Sequence, residues 1–324
     1  MRPLTLFLIL LGIVAFAASL LAGRVWLPPQ ALLDSLSDPG SMAALILYEI
    51  RLPRSVLALL TGATLGLAGA VLQGFTRNPL AEPALLGVSS GAALGAVIAI
   101  YFGVAALSPA AGPLMGMAGG LAACALTFAL GRGSTVSLVL AGAAVSSLTA
   151  AGIALALNFA PNPYAAYEIM TWLLGSLADK SWSQVLLIVP FVAAGLALMA
   201  LTGKGLDALA LGEAQAQSLG INLTRLTALT VGGVALSVGA VTSVTGAIGF
   251  IGLVAPHLVR PLVDYAPRRV LLPAALAGAV LLLCSDIAAR LVQTNPELRL
   301  GVFTSLLGTP FFFWLVLRIK RTSP

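Results

Sequence analysis

A succession of long apolar runs limits what this chain can become more than any other feature. A helix needs about 20 apolar residues to cross the hydrocarbon core of a bilayer. About ten such runs lie between the charged, Pro-rich and Asn-rich breaks, near residues 4–23, 54–74, 84–103, 113–131, 136–158, 184–202, 224–246, 247–264, 270–291 and 300–319. Only 9% of the 324 residues are charged and 59% are hydrophobic, whereas an ordinary soluble domain is about a quarter charged. Membrane-spanning strands are shorter and alternate in polarity. Continuous runs of Leu, Ala, Val and Gly therefore predict an all-α membrane protein, a single polytopic domain over 1–324 with no separate soluble domain. The first run exceeds the 7 to 15 residue core of a signal peptide and is read as a retained helix.

Ten crossings place both termini on one side, and the basic tail RIKRTSP marks that side as cytoplasmic. On this topology eleven Lys and Arg lie inside (Arg2, Arg77, Arg132, Lys204, Arg225, Arg260, Arg268, Arg269, Arg318, Lys320, Arg321) and six outside (Arg24, Arg51, Arg54, Lys180, Arg290, Arg299). The net charge of +6 thus reads as an orientation signal in lipid, with no nucleic-acid partner. Cys124 and Cys284 sit singly in apolar runs, which predicts core packing with neither disulfide nor metal.

Shifting the sequence by 170 residues lays Leu59–Gly74 over Leu229–Val244, with Gly62 on Gly232 and Gly69-Ala70-Val71 on Gly239-Ala240-Val241. An odd number of crossings separates the two, so segments 48–95 and 224–260 read as an inverted repeat of the kind found in transporters. Chance similarity between two Gly- and Ala-rich helices is the alternative. Gly62 with Gly66, and Gly87 with Gly91 and Gly95, have the four-residue spacing of close helix contacts.

Several chemistries are missing. TGKG at Thr202–Gly205 lacks the upstream spacing and following hydroxyl of a phosphate-binding loop. GVSSG at Gly87–Gly91 opens a membrane helix, not the strand-turn-helix that a nucleophilic serine requires. His257 has no second His or Cys nearby. Asp286 and Arg290, four apart on one helix face, read as an internal pair and leave few ionisable groups for a proton or ion relay. The energy for any transport then comes from elsewhere. One polar stretch stands out, GLDALALGEAQAQSLGIN at 205–222. Glu213 suits the first turn of a short helix and Gly220 its C-terminal stop. Such a helix is marginal alone, and without Lys or Arg it is a poor surface anchor, so a docking helix for a cytoplasmic partner fits best.

GLDALALGEAQAQSLGI resembles the coupling helices of permeases that work with ABC-type ATPases, specifically the FecCD family of importers for iron-siderophores, haem and vitamin B12. RLPR at Arg51–Arg54, GAVLQGFTRNPLAEPALLGVSSGAALG at Gly69–Gly95, GAIGFIGLVAPHLVR at Gly246–Arg260 and ELRLGVFTSLLGTPFFFWLVLR at Glu297–Arg318 resemble the same family. The resemblance implies ten helices per subunit and a homodimer in the cytoplasmic (inner) membrane. Two ATPase subunits, carrying ATP and Mg, would lie below and one periplasmic binding protein above; the chain itself would bind no cofactor and no metal. It implies ATPase coupling through Leu206, Asp207, Ala208, Leu209, Leu211, Gly212, Glu213, Ala214, Gln217, Leu219 and Gly220. Arg51, Arg54 and Arg290 would receive glutamates of the binding protein, by bidentate geometry that orients as well as attracts; lipid headgroup anchoring is the alternative. The fifth run, offering Ser146, Ser147, Thr149 and Asn158, would line the pathway, and Tyr164–Trp182 would form a short periplasmic helix beside it. An iron-siderophore or haem is the expected cargo, with vitamin B12 the alternative and an ion-coupled secondary transporter or an intramembrane protease the rival classes.

Overall fold

The computed structural model describes residues 2–23, 26–30, 35, 37–131, 134–292, 294 and 297–322. Arg24 and Arg132, and the side chains of Arg2, Arg318, Lys320 and Arg321, all counted above among the loop charges, lie outside this description. Every apolar run is a helix. In chain order these are α1 (Arg2–Leu21), α2 (Leu52–Thr76), α3 (Val88–Tyr101), α4 (Ala111–Leu130), α5 (Thr135–Asn158), α6 (Pro163–Leu173), α7 (Trp182–Ala200), α8 (Gly203–Leu209), α9 (Glu213–Ser218), α10 (Leu223–Thr245), α11 (Ile251–Val259), α12 (Pro267–Leu291) and α13 (Leu300–Thr322). Among the described residues seven helices are long and apolar enough to cross a membrane, and Val88–Tyr101, Ile251–Val263 and Leu300–Leu315 are shorter apolar ones. A π-helical turn over Ile46–Arg51 feeds into α2.

Local chemistry starts the helices where the sequence offers a cap. The Ser134 hydroxyl accepts the Ser137 N–H (3.1 Å) ahead of α5, and the Asn162 side chain accepts that of Ala165 (2.9 Å) ahead of α6. Asn222 does the same for Arg225 (2.9 Å) at α10, and the Ser181 N–H donates to Gln184 Oε1 (2.9 Å) in a capping box at α7. Each cap satisfies a backbone donor that a helix N-terminus leaves without a partner.

The core is organised around α2, which is buried along most of its length. Gly66 lies so close to α12 that a Cβ there would overlap the Ala274 carbonyl, and a Cβ on Gly69 would overlap the Gly252 carbonyl of α11. Pairs of the same kind join α3 to α4 (Gly91 against Gly119) and α7 to α10 (Gly195 against Gly233). Lipid tails are as apolar as leucine, so such backbone proximity, through dispersion, is the main attraction between these helices.

The two short helices share a way of starting. α3 begins after Gly87 (φ +72) and α11 after Phe250 (φ +68), both left-handed, and a bulky side chain there is a genuine outlier. Non-helical backbone within a bundle must find partners. Thr127 Oγ1 donates to the Leu86 carbonyl (3.1 Å) before α3, and the Ser176 N–H donates to the Thr245 carbonyl (2.7 Å) at the end of α10. In α11, Pro256 has no N–H for the Gly252 carbonyl one turn back. Gln73 of α2 fills the gap: its Nε2 lies 3.4 Å from the Gly252 and Leu253 carbonyls, and its Oε1 accepts Arg260. Sequence reading passed over Gln73. The expected core packing holds for Cys124, which is buried, and is corrected for Cys284, which faces outward from α12.

Gly69→Leu is expected to destabilise the fold by more than the roughly 1–3 kcal/mol of ordinary overpacking, because the obstructing atom is backbone. Gly232→Ala, whose added Cβ meets only Leu198 at 4.0 Å, should be near neutral. Melting of the detergent-solubilised variants checks this; equal melting temperatures for the two would contradict the contact.

Candidate functional site

The polar stretch folds as two short helices that cross the end of the bundle. Leu206 and Leu209 of α8 are buried, Leu206 lying beneath Gly74 at the end of α2. Asp207 Oδ1 accepts the Arg268 N–H (2.8 Å) and so caps α12 from outside. Ala208 is half-buried. Gly212 opens α9 at φ +114, a conformation that L side chains rarely adopt. Glu213, in the first turn, accepts Thr135 Oγ1 (3.0 Å) at the start of α5 and lies 3.9 Å from the Arg77 guanidinium after α2. The Ile221 N–H donates to the Ala216 carbonyl and the Gly220 N–H to the Gln217 carbonyl, a Schellman closure with Gly220 left-handed at φ +82. Only Ala216 of α9 is buried. Ala214, Gln217 and Gly220 face outward, as do Leu211 and Leu219, 65% and 63% exposed. The structure thus brings residues 206–220 together as one element whose outer face mixes Leu211 and Leu219 with Gln215, Gln217 and Ser218, with polar ties to α2, α5 and α12.

The opposite end of α2 carries Arg51 and Arg54 and lies beside Arg290 of α12, and all three are engaged within the chain. α1 ends at Leu21, leaving its last carbonyls without intrahelical donors. Arg51 donates to the Leu20 and Leu21 carbonyls (2.9 and 2.6 Å), and Arg290 to those of Ser19 and Ala22 (2.9 Å each). Positive charge at a helix C-terminus is also favoured by the dipole. Fully buried Asp286 bridges two cations, Arg54 at 2.7 Å and Arg290 at 2.5 Å. The internal pairing read from the four-residue spacing is therefore present, with Arg54 added to it. Arg54 also reaches Glu297 (2.5 Å), which is 26% exposed, on the segment leading into α13. The Ser19 and Ser55 hydroxyls complete the cluster (2.7 Å).

Along α5 the sequence-predicted pathway residues divide. Ser147 and Asn158 lie on the outward face with Leu140, Leu148 and Leu155, Ser147 bonding back to the Ala143 carbonyl (3.0 Å). Ser146 is half-buried beside Ser90 (3.4 Å). Thr149 is 6% exposed and donates to the Val145 carbonyl (3.0 Å), so it packs inward. The expected short helix after the fifth crossing is α6, whose Tyr164 and Tyr167 are exposed. Its end is seated on the α10–α11 connection, where a Cβ on Gly246 would overlap the Trp172 carbonyl. At the other end of that connection burial pushes the Glu82 carboxyl above the usual range, while the nearby Phe250 backbone opposes the shift. The ring of Phe250 occupies the notch left by Gly308 of α13. His257, at the end of α11, stands edge-on to Phe311 at 5.5 Å. Among the described residues, none group as three or more potential metal ligands.

The sequence profile of the FecCD transport family matches residues 9–318. The vitamin B12 import system permease protein BtuC of Salmonella paratyphi A is 40% identical over 315 residues, 96% of this chain and 94% of that one. A solved structure described as an inward-facing conformation of a metal-chelate type ABC transporter superposes with a TM-score of 0.84 at 30% identity, covering 98% of this chain and 99% of the other. PsaBC from Streptococcus pneumoniae shares the fold at a TM-score of 0.58 and 17% identity, over 88% of this chain and 94% of the other.

Asp286→Asn should destabilise the fold by about 3–5 kcal/mol, since it leaves two buried guanidiniums with a neutral partner. Unfolding in mixed detergent micelles reads this directly, and a midpoint equal to the parent's would show that the cluster contributes little.

Proposed function

The chain belongs to the FecCD transport family, and from that premise we propose that it is the membrane-spanning subunit of an ATP-driven vitamin B12 importer. The observation that carries the substrate is 40% identity, over nearly the whole chain, to a permease named for vitamin B12. This places the alternative read from the sequence ahead of the iron-siderophore or haem reading. The second reading, another metal chelate, is favoured by the likeness to a metal-chelate type transporter.

In this proposal both termini are cytoplasmic, two copies of the chain form the pathway, and separate ATPases bind ATP and Mg. The α8–α9 element meets the ATPase through Leu211, Ala214 and Leu219, with the buried Leu206 and Leu209 as its root in the bundle. A push on α9 reaches α5 and α2 through the Glu213 contacts to Thr135 and Arg77, and one on α8 reaches α12 through Asp207. The outward face of α5, with Ser147 and Asn158 among alanines and leucines, is weakly polar and lets a bulky cargo pass without holding it. Segments 48–95 and 224–260 act as inverted repeats, each with a long helix followed by a short one that starts left-handed. A ligand shifts such an equilibrium only by its differential affinity for the two states, so ATP and the docked binding protein favour different ones.

Docking at the far end takes a form the sequence did not suggest. Arg51, Arg54 and Arg290 are internally engaged, so a glutamate of the binding protein must exchange for an acceptor already present. Glu297 on Arg54 is the most accessible of these. Such an exchange would release the segment before α13 as the partner binds, linking docking to a helix beside the pathway.

Reconstitution into vesicles with the ATPase and binding protein of the same organism tests the assignment. ATP-dependent accumulation of labelled cobalamin, in excess of a ferric siderophore or haem, is expected; uptake that follows a proton or sodium gradient without ATP would replace the proposal with a secondary transporter. Changing Leu211 and Leu219 together to Asp should reduce ATPase co-purification at least tenfold while the chain still folds, and retained association would remove α9 from the interface.

A further inference from the structure

The bundle has a second feature at the α9 end. A cavity of about 590 Å³ lies between α9 and the ends of α4, α5 and α10, and its base is polar: Ser134, Thr135, Glu213, Gln217 and Thr224. A separate groove of about 260 Å³ lies between α4 and α10, lined by apolar residues that include Leu121, Cys124, Val231 and Ala235. Phe128 borders both. We propose that these two adjoining spaces together seat one amine-headed phospholipid, its ammonium against Glu213 and an acyl chain between α4 and α10.

Helix geometry aligns the two spaces. Thr224, Thr227, Ala228, Val231 and Ala235 recur at the three- and four-residue spacing that keeps side chains on one helix face, and they change from hydroxyl to apolar with distance from α9. From Thr224 to Ala235 the stripe covers roughly 16 Å at 1.5 Å per residue, about half the roughly 30 Å hydrocarbon core. One leaflet of lipid has that depth. On α4, Leu121, Cys124, Ala125 and Phe128 form the facing stripe.

The headgroup follows from charge. Among the described residues Glu213 is the one ionisable group lining the cavity, and its Oε1 is oriented by the Thr135 hydroxyl at 3.0 Å. A carboxylate among hydroxyls accepts from an ammonium, while the neighbouring hydroxyls and the Arg77 guanidinium, 3.9 Å from Glu213, suit the adjoining phosphate. A phosphoglycerol headgroup has no ammonium for Glu213. The seat is defined by geometry alone and does not depend on whether α9 couples to an ATPase.

The test is native mass spectrometry of the full-length chain after purification from membranes containing phosphatidylethanolamine, phosphatidylglycerol and cardiolipin. One phosphatidylethanolamine per chain should be retained, enriched over its bulk fraction. Gly232→Leu should lower that retention about tenfold, the scale of a lost binding contact, because the residue lines the groove and an added Cβ there meets only Leu198 at 4.0 Å. Glu213→Gln should abolish the preference for the amine headgroup while total lipid stays the same. Should Gly232→Leu fail to fold, the Glu213→Gln comparison decides alone. A retained-lipid composition equal to the bulk membrane, or one unchanged by Glu213→Gln, would overturn the proposal and leave only annular lipid or a partner residue at the cavity.

Discussion

The close approach of α2 to α11 and α12 is the contact on which the rest of the bundle depends. In lipid there is no water to drive helices together, so attraction falls to dispersion between surfaces that touch over a long distance. Glycines at 62, 66 and 69 remove the side chains that would hold the backbones apart. Proximity then has further effects. It brings Gln73 to the carbonyl that Pro256 leaves without a donor, and it sets Arg54 where Asp286 and Glu297 can share it. The same helix is rooted at its other end beside Leu206, beneath the polar ties of α8 and α9. A rigid α2 therefore spans both regions that carry charge.

Much of this was legible in the sequence because the bilayer imposes lengths. Ten runs became ten helices, the glycine spacings became contacts, and Gly220 became the stop of α9. The caps of α5, α6, α7 and α10 are local, and Ser, Asn and Gln at those positions announce them. What sequence could not supply is the identity of distant partners. Nothing near Arg51 or Arg290 shows that the C-terminal carbonyls of α1 lie within reach, because Leu20 is 31 residues from Arg51 and Ser19 is 271 from Arg290. Charged residues at a helix end look alike whether they face a partner or close a neighbouring helix. The faces of α5 were hidden for a related reason: Ser147 and Thr149 are both small polar residues on one helix, and only the packing of that helix says which faces out. Gln73 did leave a signal, since a proline four residues after Gly252 implies a carbonyl in need of a donor.

The placement of polarity also separates two kinds of charged group. Asp286, Arg54 and Arg290 form a buried cluster that is nearly self-satisfied, and breaking it is costlier than its net contribution to stability. Glu213, Arg77 and Asp207 lie at the surface, where each contact is worth far less and can be remade. Strong, internal pairing therefore sits at one end and weak, exchangeable pairing at the other. Glu297 falls between them, paired to a buried arginine yet partly open to the exterior, and is the point at which the strong cluster is accessible.

Phe250 has one more implication. Its backbone is left-handed and its ring fills the hollow at Gly308. The ring of Phe250 against Gly308 acts as a dowel between two timbers, registering the start of α11 to the middle of α13. A side chain at position 308 would expel that ring, so the small residue there is what keeps the α10–α11 junction and α13 in register.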